Sequence, residues 1–180
     1  MAKITTVEEA LAAVREDGEA LKDVPWGRLN LTVPAMAEIC LAAVKQQSGN
    51  AYFAENRGYV PPEKFAFNHV PDKLKTAGPT AAPKEFGEIC LLAVKQKANP
   101  EAFSRVPEGS RTEEMCLEAV KRDGAALKDV PERLKTAELC LLAVKNLISP
   151  PPHLYPEWDR FSNVPEGLRE EVRRRYESGE

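Results

Sequence analysis

One short pattern of hydrophobic and polar positions is written five times along this chain. Glu88–Lys95, Glu114–Lys121 and Glu138–Lys145 are versions of Glu-x-Cys-Leu-x-Ala-Val-Lys, Glu38–Lys45 is a fourth, and Glu8–Arg15 a fifth, with Ala10 for the cysteine and Arg15 for the lysine. Counting from the cysteine as position zero, apolar residues fall at −1, 0, +1, +3 and +4. That is the i,i+4 spacing of an amphipathic helix, with an apolar face wide enough to need cover on more than one side. Thr6, Thr112 and Thr136 stand four residues ahead of position zero, where a hydroxyl caps free backbone N–H groups, and Glu9 completes a capping box with Thr6. Glutamate in the first turn and lysine or arginine in the last suit the helix dipole. Asp17-Gly18 and Asp123-Gly124 predict a stop at a glycine in the left-handed conformation.

A second signature alternates with the first. Val24-Pro25, Val70-Pro71, Val106-Pro107, Val130-Pro131 and Val164-Pro165 each have a hydrophobe three residues before the valine: Leu21, Phe67, Phe103, Leu127 and Phe161. The segment leading to each proline is long enough for one or two turns, short enough for 3₁₀ geometry. Pro131 to Lys135 can begin another such turn, because proline is tolerated at a first helical position. Between Val120 and Val144 the spacing is 24 residues, and the other intervals are this unit lengthened by insertions. A helix of about ten residues with one or two turns cannot bury its apolar face alone.

Stacking the copies solves that problem. The predicted fold is all-α, a short α-solenoid of five units at about 5–31, 34–76, 84–111, 112–135 and 136–168 within a single domain 1–180. The five long helices are expected to run parallel in an elongated right-handed stack. A capping helix is expected at 165–177, where Leu168, Val172 and Tyr176 form one narrow apolar stripe and Arg173-Arg174-Arg175 lies on a solvated face. The proline-stiffened Gly78-Pro79-Thr80-Ala81-Ala82-Pro83 marks a candidate break in the stack at 77–83.

The strings Cys140–Lys145 and Asp123–Thr136 resemble a tandem repeat of many bacterial and some protist proteins, catalogued as a domain of unknown function. The resemblance runs from about Thr6 to Leu168 and implies a helical repeat with no activity attached. The 24-residue period is also similar to leucine-rich repeat variants that alternate α and 3₁₀ helices, a likeness of architecture only.

Composition narrows the function. With 43% hydrophobic residues the chain is expected to fold, and a net charge of −3 gives no overall footprint of a nucleic-acid binder. No apolar stretch approaches 18 residues, and Met1-Ala2-Lys3-Ile4 leads into polar sequence, so a cytoplasmic site is expected and no membrane is involved. Delivery into a host cell by a secretion machine would leave no mark in this sequence. Cys40, Cys90, Cys116 and Cys140 contain no Cys-x-x-Cys pair and all occupy position zero, which predicts buried, reduced thiols without metal or disulfide. His69 and His153 are the only histidines, each at a polar turn or loop position, and no phosphate loop or nucleophile elbow is present. No cofactor and no catalytic residue is expected. Arg15, Lys45, Lys95, Lys121 and Lys145 could line a nucleic-acid backbone, but the acidic row Glu8, Glu38, Glu88, Glu114 and Glu138 accompanies them, and helix-end electrostatics explain both.

Two insertions carry the functional expectation. About 16 additional residues separate Lys45 from Val70, and about 10 separate Lys145 from Val164, at the same point of the unit. They hold Tyr52, Phe53, Tyr59, Phe65, Tyr155 and Trp158, half of the chain's twelve aromatics. Rings on segments that the unit does not need are candidates for partner binding; the alternative is that they fold back into the core. Leu92 and Leu142 are secondary candidates, because position +2 is Ala or Glu elsewhere. The expected function is a protein–protein interaction module of adaptor or inhibitor type, monomeric or weakly oligomeric. A nucleic-acid-binding helical repeat is the alternative, and an enzyme using the insertion loops a third reading.

Overall fold

Threonine hydroxyls set the starts of four helices. In α1 (Val7–Glu16) the Thr6 hydroxyl accepts the Glu9 N–H at 3.2 Å, and the Glu9 carboxylate accepts the Thr6 N–H at 3.1 Å. Thr112 accepts from Met115 N–H at 3.3 Å and Thr136 from Leu139 N–H at 3.2 Å, while Thr32 accepts from Ala35 N–H at 3.4 Å. Thr32 stands eight residues before Cys40 instead of four, so α2 (Val33–Gly49) begins a turn early, with Pro34 in that first turn, and runs 17 residues. The remaining α-helices are α3 (Asp72–Lys75), α4 (Lys84–Lys95), α5 (Ala102–Arg105), α6 (Glu113–Arg122), α7 (Ala137–Asn146) and α8 (Glu166–Glu177). The computed structural model describes residues 4–50, 60–76, 84–96, 99, 101–147 and 159–180. Among them the fold is all-helical, with no strand, and no helix is long and apolar enough to cross a membrane.

The Val-Pro signature is a turn closed the same way five times. The valine N–H donates to the carbonyl of the hydrophobe three residues earlier: Val24 to Leu21, Val70 to Phe67, Val106 to Phe103, Val130 to Leu127 and Val164 to Phe161, at 2.9 to 3.3 Å. All ten side chains are buried. Each turn therefore drives two apolar groups into the core, and the following proline, lacking an N–H, stops it.

The helix stops depart from expectation. Asp17 and Asp123 have extended backbones, and their carboxylates accept the N–H of Glu19 and Ala125 at 2.9 Å, starting the 3₁₀ helices Gly18–Asp23 and Gly124–Asp129. Neither Gly18 nor Gly124 takes the left-handed conformation; among the described glycines only Gly179 does, at φ 77°. Contact is what requires glycine there. A Cβ on Gly18 would lie 2.5 Å from the Ala43 carbonyl oxygen, and one on Gly124 would fall on the Ala143 carbonyl oxygen and 2.7 Å from the Leu147 nitrogen. In both places the turn after one helix lies directly against the backbone of the next.

By internal contacts the chain divides into two units, Met1–Ser110 and Arg111–Glu180. In the first, α2 packs between α1 and α4. Gln46 spans the first of these joints, its Oε1 accepting Gly18 N–H at 2.9 Å and its Nε2 donating to Glu16 O at 3.1 Å. At the second, Gln96 Nε2 donates to Ser48 Oγ at 3.2 Å. In the second unit α7 packs between α6 and α8, and Asn146 Nδ2 donates to the carbonyls of Val120 and Lys121 at 3.2 and 3.3 Å. The C-terminal ends of α1, α2 and α4 thus lie side by side, as do those of α6 and α7. In α8, Val172 is buried with Leu168 and Tyr176 half-buried beside it, and Arg175 pairs with Glu138, Glu171 and Glu180. The Tyr176 ring meets Phe161 edge-on at 6.0 Å, and Arg173 lies over Phe161 at 5.0 Å. The stretch 77–83 lies outside the described residues; the division of the chain falls at 110/111.

A glycine pair tests the contact explanation. Gly124→Ala has to displace backbone of α7 and should cost about 3 kcal/mol or more of unfolding free energy. Gly167→Ala, at an α8 position open to solvent, should be neutral or stabilise by up to about 1 kcal/mol. Urea denaturation of both variants checks this, and equal costs would count against the contact.

Candidate functional site

Most side chains with chemical potential are committed to the fold. Cys40, Cys90, Cys116 and Cys140 are all buried and unpaired as disulfides. Burial pushes the Cys40 and Cys90 thiols up to about 12 and Cys140 to about 11, and raises Cys116 in the same direction. These groups are inert small hydrophobes at neutral pH. The His69 ring is held through Nε2 against Glu63 O at 2.7 Å. Gln47, fully buried, donates to Lys64 O at 2.6 Å and accepts Ala66 N–H at 2.8 Å, fastening the end of the first insertion to α2.

Phe65 sits in that fastened stretch, and here the expectation changes. It is 2% exposed and packs with Val60 in the core, so it presents no ring to a partner; the Gln47 clamp on its two neighbours pulls it inward. Leu92 and Leu142 are half-buried at position +2. Tyr52, Phe53, Tyr59, Tyr155 and Trp158, like His153, lie outside the described residues. The basic and acidic rows do more than match helix ends, since Lys45 reaches Glu88 of the next string at 2.8 Å.

An open surface remains on α1. Within each unit the +3 alanine of a following helix lies against the turn that ends the preceding one, Ala43 beside Gly18 and Ala143 beside Gly124, and both alanines are buried. The +3 residue of α1, Ala13, is only half-buried, and Ala12 and Glu16 are exposed. A groove of about 520 Å³ lies between α1 and the 3₁₀ helix Gly18–Asp23, lined among the described residues by Ile4, Ala12, Ala13 and Ala20, with Glu9, Glu16, Asp17, Glu19 and Asp23 beside Lys22. Some of these carboxylates are occupied. Glu9 accepts the Thr5 N–H at 2.7 Å, which holds its pKa below the ordinary value of 4.5. Asp17 caps the 3₁₀ helix, and Glu19 pairs with Lys22 at 3.9 Å and Lys64 at 3.6 Å. Glu16 and Asp23 have no ion pair among the described residues.

Residues 112–149 match the model of a family described as Domain of unknown function (DUF4116). That segment holds the Thr112 cap, α6, the two 3₁₀ helices that follow and α7. The match fits an uncharacterised family and attaches no activity to the groove. No curated protein and no solved structure matches the chain.

Sequence reasoning missed the amides. Gln46, Gln96 and Asn146 all stand at +6, six residues after the cysteine, and that column is visible once the strings are aligned. It missed the groove as well, because an uncovered face is a property of what packs against it.

The thiols generate a pH prediction. An unfolded thiol ionises near its ordinary value of 9.0, whereas folded Cys40 and Cys90 hold their protons to about 12. The stability from these neutral thiols is complete below pH 9 and is lost as pH rises through that window. The unfolding free energy from urea denaturation should therefore fall between pH 9 and 11, by up to about 1.4 kcal/mol per pH unit for each thiol. A Cys40→Ala, Cys90→Ala chain should show a shallower fall, and an identical slope would mean the thiols ionise freely in the folded state.

Proposed function

We propose that this protein is a protein–protein interaction module, an adaptor or inhibitor built as a short α-solenoid of five imperfect copies, that receives a partner in the α1 groove. The observation carrying this reading is the groove itself, apolar at its floor and acidic at its rim. Three alanines on the floor let a partner's backbone approach closely, and the open concave surface is the kind that takes a peptide or helix. A row of carboxylates repels phosphate, which weighs against the nucleic-acid reading. Buried thiols with raised pKa values supply no ready nucleophile, which favours a binding role over catalysis. Tyr52, Phe53, Tyr59, Tyr155 and Trp158 of the insertions are a second contact surface in this proposal.

Filling the groove is the direct test. In affinity capture from the native cell, a partner recovered with the wild-type chain should be lost with Ala12→Trp, whose exposed position leaves the core intact and the melting temperature within a few degrees. Recovery of every partner by the filled variant would dismiss the groove as the docking surface. With the partner in hand, Trp158→Ala and Tyr59→Ala should each weaken binding by at least about 1 kcal/mol while leaving stability unchanged. Unchanged affinity with a large loss of stability would assign those rings to the core.

A further inference from the structure

We infer that the occupant of the α1 groove is a cationic segment of a partner protein, its lysine or arginine seated on Glu16 and Asp23, and that Glu16 selects it. This rests on the groove being the docking surface.

Position +6 differs between successive helices. At the joints inside each unit this residue is an amide: Gln46, Gln96 or Asn146. An amide both donates and accepts, and Gln46 does both, its Oε1 accepting the Gly18 N–H at 2.9 Å and its Nε2 donating to Glu16 O at 3.1 Å. That second bond is directed at the C-terminal carbonyls of the preceding helix, as are both bonds from Asn146. On α1 the same position carries Glu16, a carboxylate, which at neutral pH only accepts. Set against another helix's C-terminal end, Glu16 would oppose carbonyl oxygens and the negative end of the helix dipole. The groove is therefore unsuited to a second copy stacked as the internal joints are.

What suits it is a group that only donates. Glu16 and Asp23 are the two rim carboxylates with neither an ion pair nor a side-chain hydrogen bond among the described residues, whereas Glu9 and Asp17 accept backbone N–H groups and Glu19 pairs with Lys22 and Lys64. Ala12, Ala13 and Ile4 provide the apolar ground along which a lysine or arginine stem can lie with its charge at the rim. Charge complementarity and floor thus describe one occupant, a basic segment with small or aliphatic residues beside its cations.

The test uses the full-length chain and two short helical peptides, one of alanine and lysine and one with glutamate in place of each lysine, in calorimetric titrations at low and raised salt. The lysine peptide should bind, more weakly as salt rises, and the glutamate peptide should not. Glu16→Gln and Asp23→Asn should each weaken binding about threefold to fivefold, and Ala12→Trp should abolish it. Equal binding of both peptides, or lysine-peptide binding indifferent to Glu16→Gln and Asp23→Asn yet lost in Ala12→Trp, would overturn the cationic inference and leave the groove as a docking surface. Binding that survives Ala12→Trp would instead remove the docking reading. Sedimentation of the chain alone should show a monomer; self-association abolished by Ala12→Trp would place a second copy in the groove and overturn the inference.

Discussion

The close approach of one turn to the backbone of the next helix is the contact on which both units are built. A helix of ten residues is marginal alone in water, so its apolar stripe has to be covered by a neighbour within packing distance. Gly18 and Gly124 permit that distance, because any side chain there would meet the carbonyl of Ala43 or Ala143. Once the backbones are this near, the free carbonyls at the helix end can take partners from the next helix. Gln46 and Asn146 provide them, each reaching back to the carbonyls that end the preceding helix. Glycine at the turn and amide at +6 are thus two parts of one joint, the first setting the spacing and the second satisfying what that spacing encloses.

The helices, their threonine caps and the buried cysteines were legible in the sequence because their causes are local. Thr112 and Met115 are three residues apart, and the periodicity that buries Cys116 is contained in one string. The reading failed where the cause is a partner far along the chain. Gly18 looks like a left-handed helix stop when only its neighbours are considered; its real constraint comes from Ala43, on a different helix. Phe65 looks like a spare ring on an insertion, and only Gln47, eighteen positions earlier, shows why it turns inward. Composition gave no hint of the groove. Its acidic residues are spread over Glu9 to Asp23 within a chain of nearly balanced charge, and geometry alone gathers them on one side.

The thiols show the same division between what a position needs and what its chemistry offers. Position zero calls for a side chain small enough to sit at the crowded centre of the joint, and Ala10 fills it in the first string as well as cysteine does in the others. A residue replaceable by alanine at a fully buried position is serving as volume.

Position +6 carries the finer information. If amides there were simply good residues for a helix C-terminus, all five strings would be equally free to use one. They do not: Gln46, Gln96 and Asn146 belong to helices that follow another within their unit, while Glu16 and Arg122 belong to α1 and α6, the first long helix of each. An amide suits a position facing both a donor and a carbonyl, as Gln46 does. A full charge in that place would have one of the two groups wrong and would carry a desolvation cost besides. The alternation of amide and charge at +6 therefore follows the difference between a helix whose preceding neighbour lies in the same unit and one that opens a unit.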